Sequence, residues 1–245
     1  MLHGRLFEDG MQYQFGAFNG KGVLQENNND TPEGVGRLRF TPWHGSGNAW
    51  LKGLSFGGAY AAGRTRGGSG FIGRSESQSF VFFPRKSVNG QVTRANGELT
   101  WLRGPATIRA EFVQTNQERE GLGTAGANLA GVVGKGFMIA GTYLLTGEKR
   151  PENGPPDPRK PFLGKRAKGA GAWEVKFRYS TLKLDDGSVS NRAETFTTGI
   201  NWYPIRFVKY GVDFNVEHLE KPVVLPIPID SGNFFSILTR IQFRF

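Results

Sequence analysis

Cysteine is absent from the 245 residues, which excludes a disulfide framework and any thiolate metal site. Histidine is scarce, and His3, His44 and His218 have no ligand spacing to one another or to carboxylates. No window approaches the ~18–20 consecutive apolar residues of a transmembrane helix. No segment of useful length carries a clean helical period. The apolar share is only 38%, little for the core of a soluble domain of this size. Acidic residues are the minority charge, 21 against 31 basic, giving a net charge of +10. The basic residues are scattered singly rather than clustered on one element, so nucleic acid is set aside and anionic solutes or acidic surfaces remain as partners. No Ser/His/Asp grouping has local support, and Glu111 and Glu174 stand isolated, so neither an enzyme nor a cofactor is expected. Gly68-Ser-Gly-Phe-Ile-Gly73 spells a dinucleotide fingerprint, but no helix follows it and it carries no weight.

What is abundant is glycine (36), phenylalanine (20) and alternation at period two. Trp173, Val175, Phe177 and Tyr179 alternate with Glu174, Lys176 and Arg178. Phe196, Thr198, Ile200 and Trp202 alternate with Thr197, Gly199 and Asn201. In the last segment Phe235, Ile237, Thr239, Ile241, Phe243 and Phe245 oppose Ser236, Leu238, Arg240, Gln242 and Arg244. Alternation of this kind marks strands with one apolar and one polar face. It predicts strands at roughly 2–7, 11–18, 33–41, 49–61, 94–103, 105–116, 131–145, 168–181, 191–203, 205–218 and 233–245. Outward apolar faces with a polar interior describe a membrane β-barrel, in which only one face of each strand must be apolar.

The connections alternate between short turns (Glu8-Asp9-Gly10, Thr41-Pro-Trp43 with its glycine tail, Gly104-Pro105, Tyr203-Pro204) and longer loops at 19–32, 62–93, 117–130, 182–190 and 219–232. Short periplasmic turns and long outer loops fit the same architecture. Trp43, Trp101, Trp202 and Tyr203 then fall near one interface as an aromatic girdle. Residues 147–167 break the rule, being long and on the periplasmic side. They are too proline-rich for a strand and read either as a linker or as a segment that folds into the lumen. An odd strand count leaves open edges that lipid does not tolerate. The expectation is therefore one partial barrel domain over 1–245, with further strands and an export signal preceding Met1.

The polar face carries Arg5, Arg37, Arg39, Arg109, Lys176, Arg178, Lys209, Arg240 and Arg244 against Glu111, Glu174, Asp213 and Glu217. A ladder of cations along a narrow pore raises the local anion concentration, and the arginine fork matches phosphate oxygens. The competing reading is that these bases pair with acids and only hold the wall. Residues 147–168 add Lys149, Arg150, Arg159, Lys160, Lys165, Arg166 and Lys168 against Glu148, Glu152 and Asp157, in a loop that is either solvated or pore-lining.

Ordered local motifs resemble the phosphate-selective porin O and P family. These are Tyr13-Gln-Phe-Gly-Ala-Phe-Asn-Gly20, Gly36-Arg-Leu-Arg-Phe-Thr-Pro42, Gly104-Pro105, Tyr143-Leu-Leu-Thr-Gly-Glu-Lys-Arg-Pro151, Gly171-Ala-Trp-Glu-Val-Lys-Phe-Arg-Tyr-Ser180, Gly199-Ile-Asn-Trp-Tyr-Pro204 and the terminal Arg240–Phe245. The resemblance implies an all-β, antiparallel transmembrane barrel that is trimeric, of which this chain supplies about eleven of sixteen strands. It implies that residues 62–93 match an outer loop that folds inward and carries arginines, here Arg64, Arg66, Arg74 and Arg85. It also implies that 147–167 match a periplasmic segment that enters the lumen.

The resulting expectation is a passive channel of the bacterial outer membrane for anions such as phosphate or polyphosphate, in contact with lipid and assembled as a homotrimer. A general non-selective porin is the first alternative. A soluble β-sandwich binding acidic polysaccharide is the second, and outward apolar faces argue against it.

Overall fold

The computed structural model describes residues 1–19, 32–152, 154–164, 169–220 and 231–244. Residues 20–31 and 221–230, which hold most of two expected outer loops, lie outside them, as do Lys165, Arg166, Lys168 and Phe245. Eleven long strands follow in order: β1 (Leu2–Leu6), β2 (Met11–Phe18), β3 (Glu33–Phe40), β4 (Leu54–Ser69), β7 (Ser87–Arg103), β8 (Ala106–Arg119), β9 (Leu129–Leu144), β10 (Ala172–Asp185), β11 (Ser190–Ile205), β12 (Val208–Glu220) and β13 (Ser231–Phe243). Between β4 and β7 lie two short pieces, β5 (Gly73–Arg74) and β6 (Val81–Phe83). The eleven form one antiparallel sheet in sequence order, and β5 pairs only with β6. Among the described residues β1 and β13 do not pair, so the sheet is a barrel wall with two edges. A single sheet with an apolar outer face also removes the β-sandwich alternative.

Period-two alternation sets the faces. Phe235 and Ile237 are 79% and 66% exposed, and Phe177, Phe196, Phe214 and Tyr210 also project from the convex side. Glu174, Thr197, Asn201, Asn215 and Glu217 are buried on the concave side. Water rewards no such arrangement, since burying the aromatic face is worth about 25 cal/mol per Å² and only lipid covers it here. The turn end of the sheet carries the girdle. Trp50 stacks on Trp101 at 5.7 Å, Trp173 on Trp202 at 5.7 Å, and Tyr210 lies 5.5 Å from Trp202. Tyr203 does not belong to it: the residue is 2% exposed and its hydroxyl donates to Glu174 at 2.8 Å. Strand parity turns Tyr203 inward with Thr197, Gly199 and Asn201, and parity overrides the aromatic's preference for the interface.

Two further boundaries differ from expectation. Residues 49–53 are turn rather than strand, so β4 starts at Leu54. At the outer end β4 and β7 continue to Ser69 and back from Ser87, shortening the expected 62–93 loop to 70–86, whose base is closed by Gly70 N–H donating to Lys86 O at 2.7 Å. A spanning strand needs about 9–11 residues, so these strands project beyond the bilayer.

Loop 70–86 folds back into the concave side. Phe82 and Phe83 are fully buried with Val88, Val132, Leu184, Ala193 and Leu219. Phe80 packs on Phe234 at 4.3 Å, and Asn191 Nδ2 donates to Phe82 O. At the opposite end residues 145–152 and 154–159 lie across the inner side as a strap, and Phe162 beyond them packs edge-on against Trp202 of the girdle at 5.2 Å. Arg150 N–H donates to Gly104 O at 2.8 Å, Phe162 N–H to Pro204 O at 2.8 Å, and Glu152 reaches Arg39 on β3. Of the two readings of residues 147–167, the lumen-facing one describes 147–152 and 154–159, while 153 and 165–167 lie outside the described residues.

Candidate anion pathway

Between the inward loop and the strap the wall is polar. β10 presents Lys176 and Arg178, β12 presents Lys209 and Asp213, and β13 presents Arg240, around a cavity of ≈ 310 Å³. Lys176 Nζ meets Asp213 Oδ1 at 2.5 Å, and Arg178 pairs with Glu76 from the inward loop. Lys209 and Arg240 have no carboxylate within ion-pair distance among the described residues. A glycine makes room beside them. Gly211 sits opposite Arg240 in register, and a Cβ there would lie 2.9 Å from Asn201 Oδ1 and 3.9 Å from Lys176 Nζ. Asn201 is buried, donates through Nδ2 to Glu174 at 2.7 Å, and leaves Oδ1 unpartnered. Arg178 Nε is likewise unpartnered. Buried polar atoms without partners are costly and point to water or solute in the cavity.

Nearer the turns, Arg244 and Arg206 line a smaller cavity of ≈ 70 Å³ with Lys209, Gln242 and Arg150. Arg150 is anchored by Glu174 at 2.9 Å, which also accepts from Tyr203. On the facing strands Arg37 pairs with Glu98 at 2.5 Å, and Arg39 with Glu152 at 2.5 Å. Arg109 and Glu111 share a cavity of ≈ 200 Å³ with both pairs, and among the described residues Arg109 has no carboxylate within ion-pair distance. Arg5, at the β1 edge, pairs only with Asp9 at 3.5 Å.

The outer-loop arginines are dispersed. Arg64 pairs with Glu120, and Arg66 lies near it at the outer end of β4. Arg74 is exposed and donates to Gln78 O at 3.3 Å in the β5–β6 hairpin. Arg85 faces an outer cavity of ≈ 980 Å³ together with Arg64 and Arg94. The part of the loop that reaches deepest is aromatic and acidic: Phe80, Phe82, Phe83 and Glu76.

Sequence reasoning overlooked several lumen groups. Arg94 and Glu98 face inward on β7, Arg94 pairing with Glu33. The alternation of Ala95, Gly97, Leu99 and Trp101 would have placed both. Asp186, in the outer turn after β10, carries no such signal. It binds Lys86 at 2.8 Å and Arg119 at 3.8 Å, pinning the base of the inward loop. Burial raises its carboxyl, but the Lys86 ammonium, the Ser188 hydroxyl and the Ser188 and Val189 N–H groups outweigh burial and hold it below the usual carboxylate range. Of the histidines, His44 contacts Thr41 O at 2.9 Å and His218 contacts Asn233 at 2.8 Å.

Comparison with known proteins agrees with this architecture. The family described as "Phosphate-selective porin O and P" matches residues 4–245. Porin O of Pseudomonas aeruginosa is 27% identical over 161 residues, covering 60% of this chain and 34% of that protein. The solved structure titled "Outer-membrane expressed OmpT of Vibrio cholerae" superposes with a TM-score of 0.51 at 10% identity, over 96% of this chain and 61% of that one. "OmpT (in-vitro folded), an outer membrane protein of Vibrio cholerae" gives 0.51 at 12% identity, with the same coverage. At such identities the structural likeness bears on the fold alone. The chain thus spans about a third of the curated relative and under two thirds of the matched structures.

Proposed function

The chain belongs to the phosphate-selective porin O and P family, matched over residues 4–245, and from that premise we propose that it forms part of the wall of a passive anion channel in the bacterial outer membrane. The observation that carries this reading is the row of lumen cations with no acidic partner among the described residues, Lys209, Arg240 and Arg244, set beside the paired Lys176 and Arg178. Unpaired cations behind low-dielectric walls attract anions, while neighbouring pairs hold the scaffold and cancel locally. Several weak sites in series suit conduction better than one tight site.

The two unpaired edges call for closure, because lipid cannot satisfy free backbone amides. About five further strands would close a sixteen-stranded wall. A homotrimer and a preference for phosphate over chloride belong to the same proposal. A porin conducts its solute rather than transforming it, so the lumen charges act by attraction alone.

A general non-selective pore is the second reading. It is favoured by the pairing of Arg37, Arg39, Arg64, Arg94, Lys176 and Arg178, which neutralises much of the apparent basic excess. The zero-current potential of the closed barrel in a planar bilayer under a KCl gradient separates the two. An anion-selective sign, with phosphate reducing chloride current, supports the proposal. A potential near zero leaves the general pore.

A further inference from the structure

The strap is tied to the wall in unequal ways. Arg150 docks on Glu174, which is 1% exposed and also held by Asn201 and Tyr203. Glu148 is 3% exposed and accepts, within the strap, from the Thr146 hydroxyl and from Arg159 N–H at 3.2 Å, while Thr146 Oγ1 accepts from Trp173 N–H on β10 at 3.1 Å. Both ties are buried and multiply bonded. Glu152 differs: its side chain is half exposed, and among the described residues it binds only Arg39, at 2.5 Å. A half-exposed single ion pair contributes little to holding its two partners together. The strap therefore stays in place through its other contacts whether or not Glu152 is bound.

Arg39 itself is built in. Its side chain is 18% exposed, and its second guanidinium nitrogen donates to Ser55 Oγ at 3.0 Å, the serine being 3% exposed. Arg109 faces the same ≈ 200 Å³ cavity. The cavity thus contains a guanidinium held by a buried hydroxyl, a second guanidinium with no ion-paired carboxylate among the described residues, and a carboxylate on a tether, beside Glu111 and the mutually paired Arg37 and Glu98. A carboxylate presents the same two-oxygen edge to a guanidinium as a phosphate does.

We propose that Arg39, Ser55 and Arg109 form an oxyanion subsite at the inner mouth, that Glu152 occupies it in the absence of solute, and that inorganic phosphate displaces Glu152. The tethered carboxylate is then an internal competitor. It keeps the subsite from holding phosphate tightly, as passage requires. The inference deepens the channel reading and rests on it for its biological meaning, but the binding step is measurable without conduction.

The test is titration of the full chain in detergent micelles with inorganic phosphate, by calorimetry, beside Glu152→Gln, Glu152→Asp and the double variant Glu152→Gln/Arg39→Gln. Retained far-ultraviolet β signal and heat-modifiable electrophoretic mobility check folding in each. Removing the competitor and its repulsion should tighten phosphate binding about five- to tenfold, the size expected when a coupling of roughly 1 kcal/mol is released. The aspartate variant, which keeps the charge on a shorter arm, should fall between native and glutamine. The double variant should lose the gain. Unchanged or weaker binding in Glu152→Gln overturns the proposal, as does a gain that survives loss of Arg39. Should the double variant fail to fold, an aspartate variant that binds as tightly as the glutamine variant overturns it equally. A gain in binding alongside a non-selective bilayer potential would refute the channel reading and leave the subsite standing.

Discussion

Replacing Arg240 by glutamine isolates the effect of one unpaired lumen charge. Arg240 lies opposite Gly211, so no side chain on β12 stands directly across from it, and no carboxylate stands within ion-pair distance among the described residues. A unit charge about 6 Å from a passing anion contributes about 0.7 kcal/mol at the dielectric of water and about 2.8 kcal/mol at an effective value of 20. The smaller figure is already about a threefold change in local anion concentration. In the closed barrel the anion-to-cation permeability ratio should therefore fall at least threefold, and the loss should shrink as salt rises, since screening shortens the reach of the charge. Glutamine keeps most of the length and polarity, so pore width is nearly conserved. The assay is the zero-current potential in planar bilayers at two ionic strengths, with single-channel conductance as the check on width. An unchanged potential at low salt would falsify the idea that unpaired wall charges set selectivity. Lys176→Gln provides the contrast, because it leaves Asp213 uncompensated. It should lower the ratio further than Arg240→Gln.

Phe82→Ala empties the centre of the cluster that seats the inward loop. It should cost about 3–5 kcal/mol in that local anchoring, read as faster proteolysis within residues 70–86 and as raised conductance. Glu174→Gln leaves Arg150 buried without its charge partner, a loss of roughly 3 kcal/mol. Strap cleavage by added protease should then accelerate while heat-modifiable mobility of the barrel persists. The pin at Asp186 has a defined acid dependence. Its carboxyl is depressed below the ordinary value of 3.8, so its stabilisation is fully present above that value and is lost as pH falls through the lower, folded one. Loop protection should decline in that acid range in the native chain, whereas Asp186→Asn should be less protected at neutral pH and flat across it. Equal acid profiles in the two would refute the assignment.

The strands and their two faces were legible in the sequence because lipid on one side and polar lumen on the other impose a strict two-residue period. Trp173 through Tyr179, Phe196 through Trp202 and the run ending at Phe243 all follow it. The rule applies only where lipid is present. Residues 62–69 and 87–93 lie beyond the bilayer and need no apolar outer face; 62–69 are a glycine-rich stretch, and in 87–93 the apolar Val88 and Val92 fall on the inner face, Val88 against the inward loop, so their strand character was hidden. Tyr203 follows strand parity rather than residue type: it faces inward, 2% exposed, where the aromatic side chain alone points to the girdle.

The lumen's net field could not be read from sequence at all. Arg37 and Glu98 are 61 positions apart, and Arg178 and Glu76 are 102 apart. Strand register brings the first pair together, and the infolding of loop 70–86 brings the second. Glu152 meets Arg39 only because the strap crosses the mouth. Period two is a local constraint written into consecutive residues, and it determined the barrel wall. Which cations remain free depends on register, loop docking and a strap crossing, all set by contacts between residues far apart in the chain, and only the tertiary structure decided that.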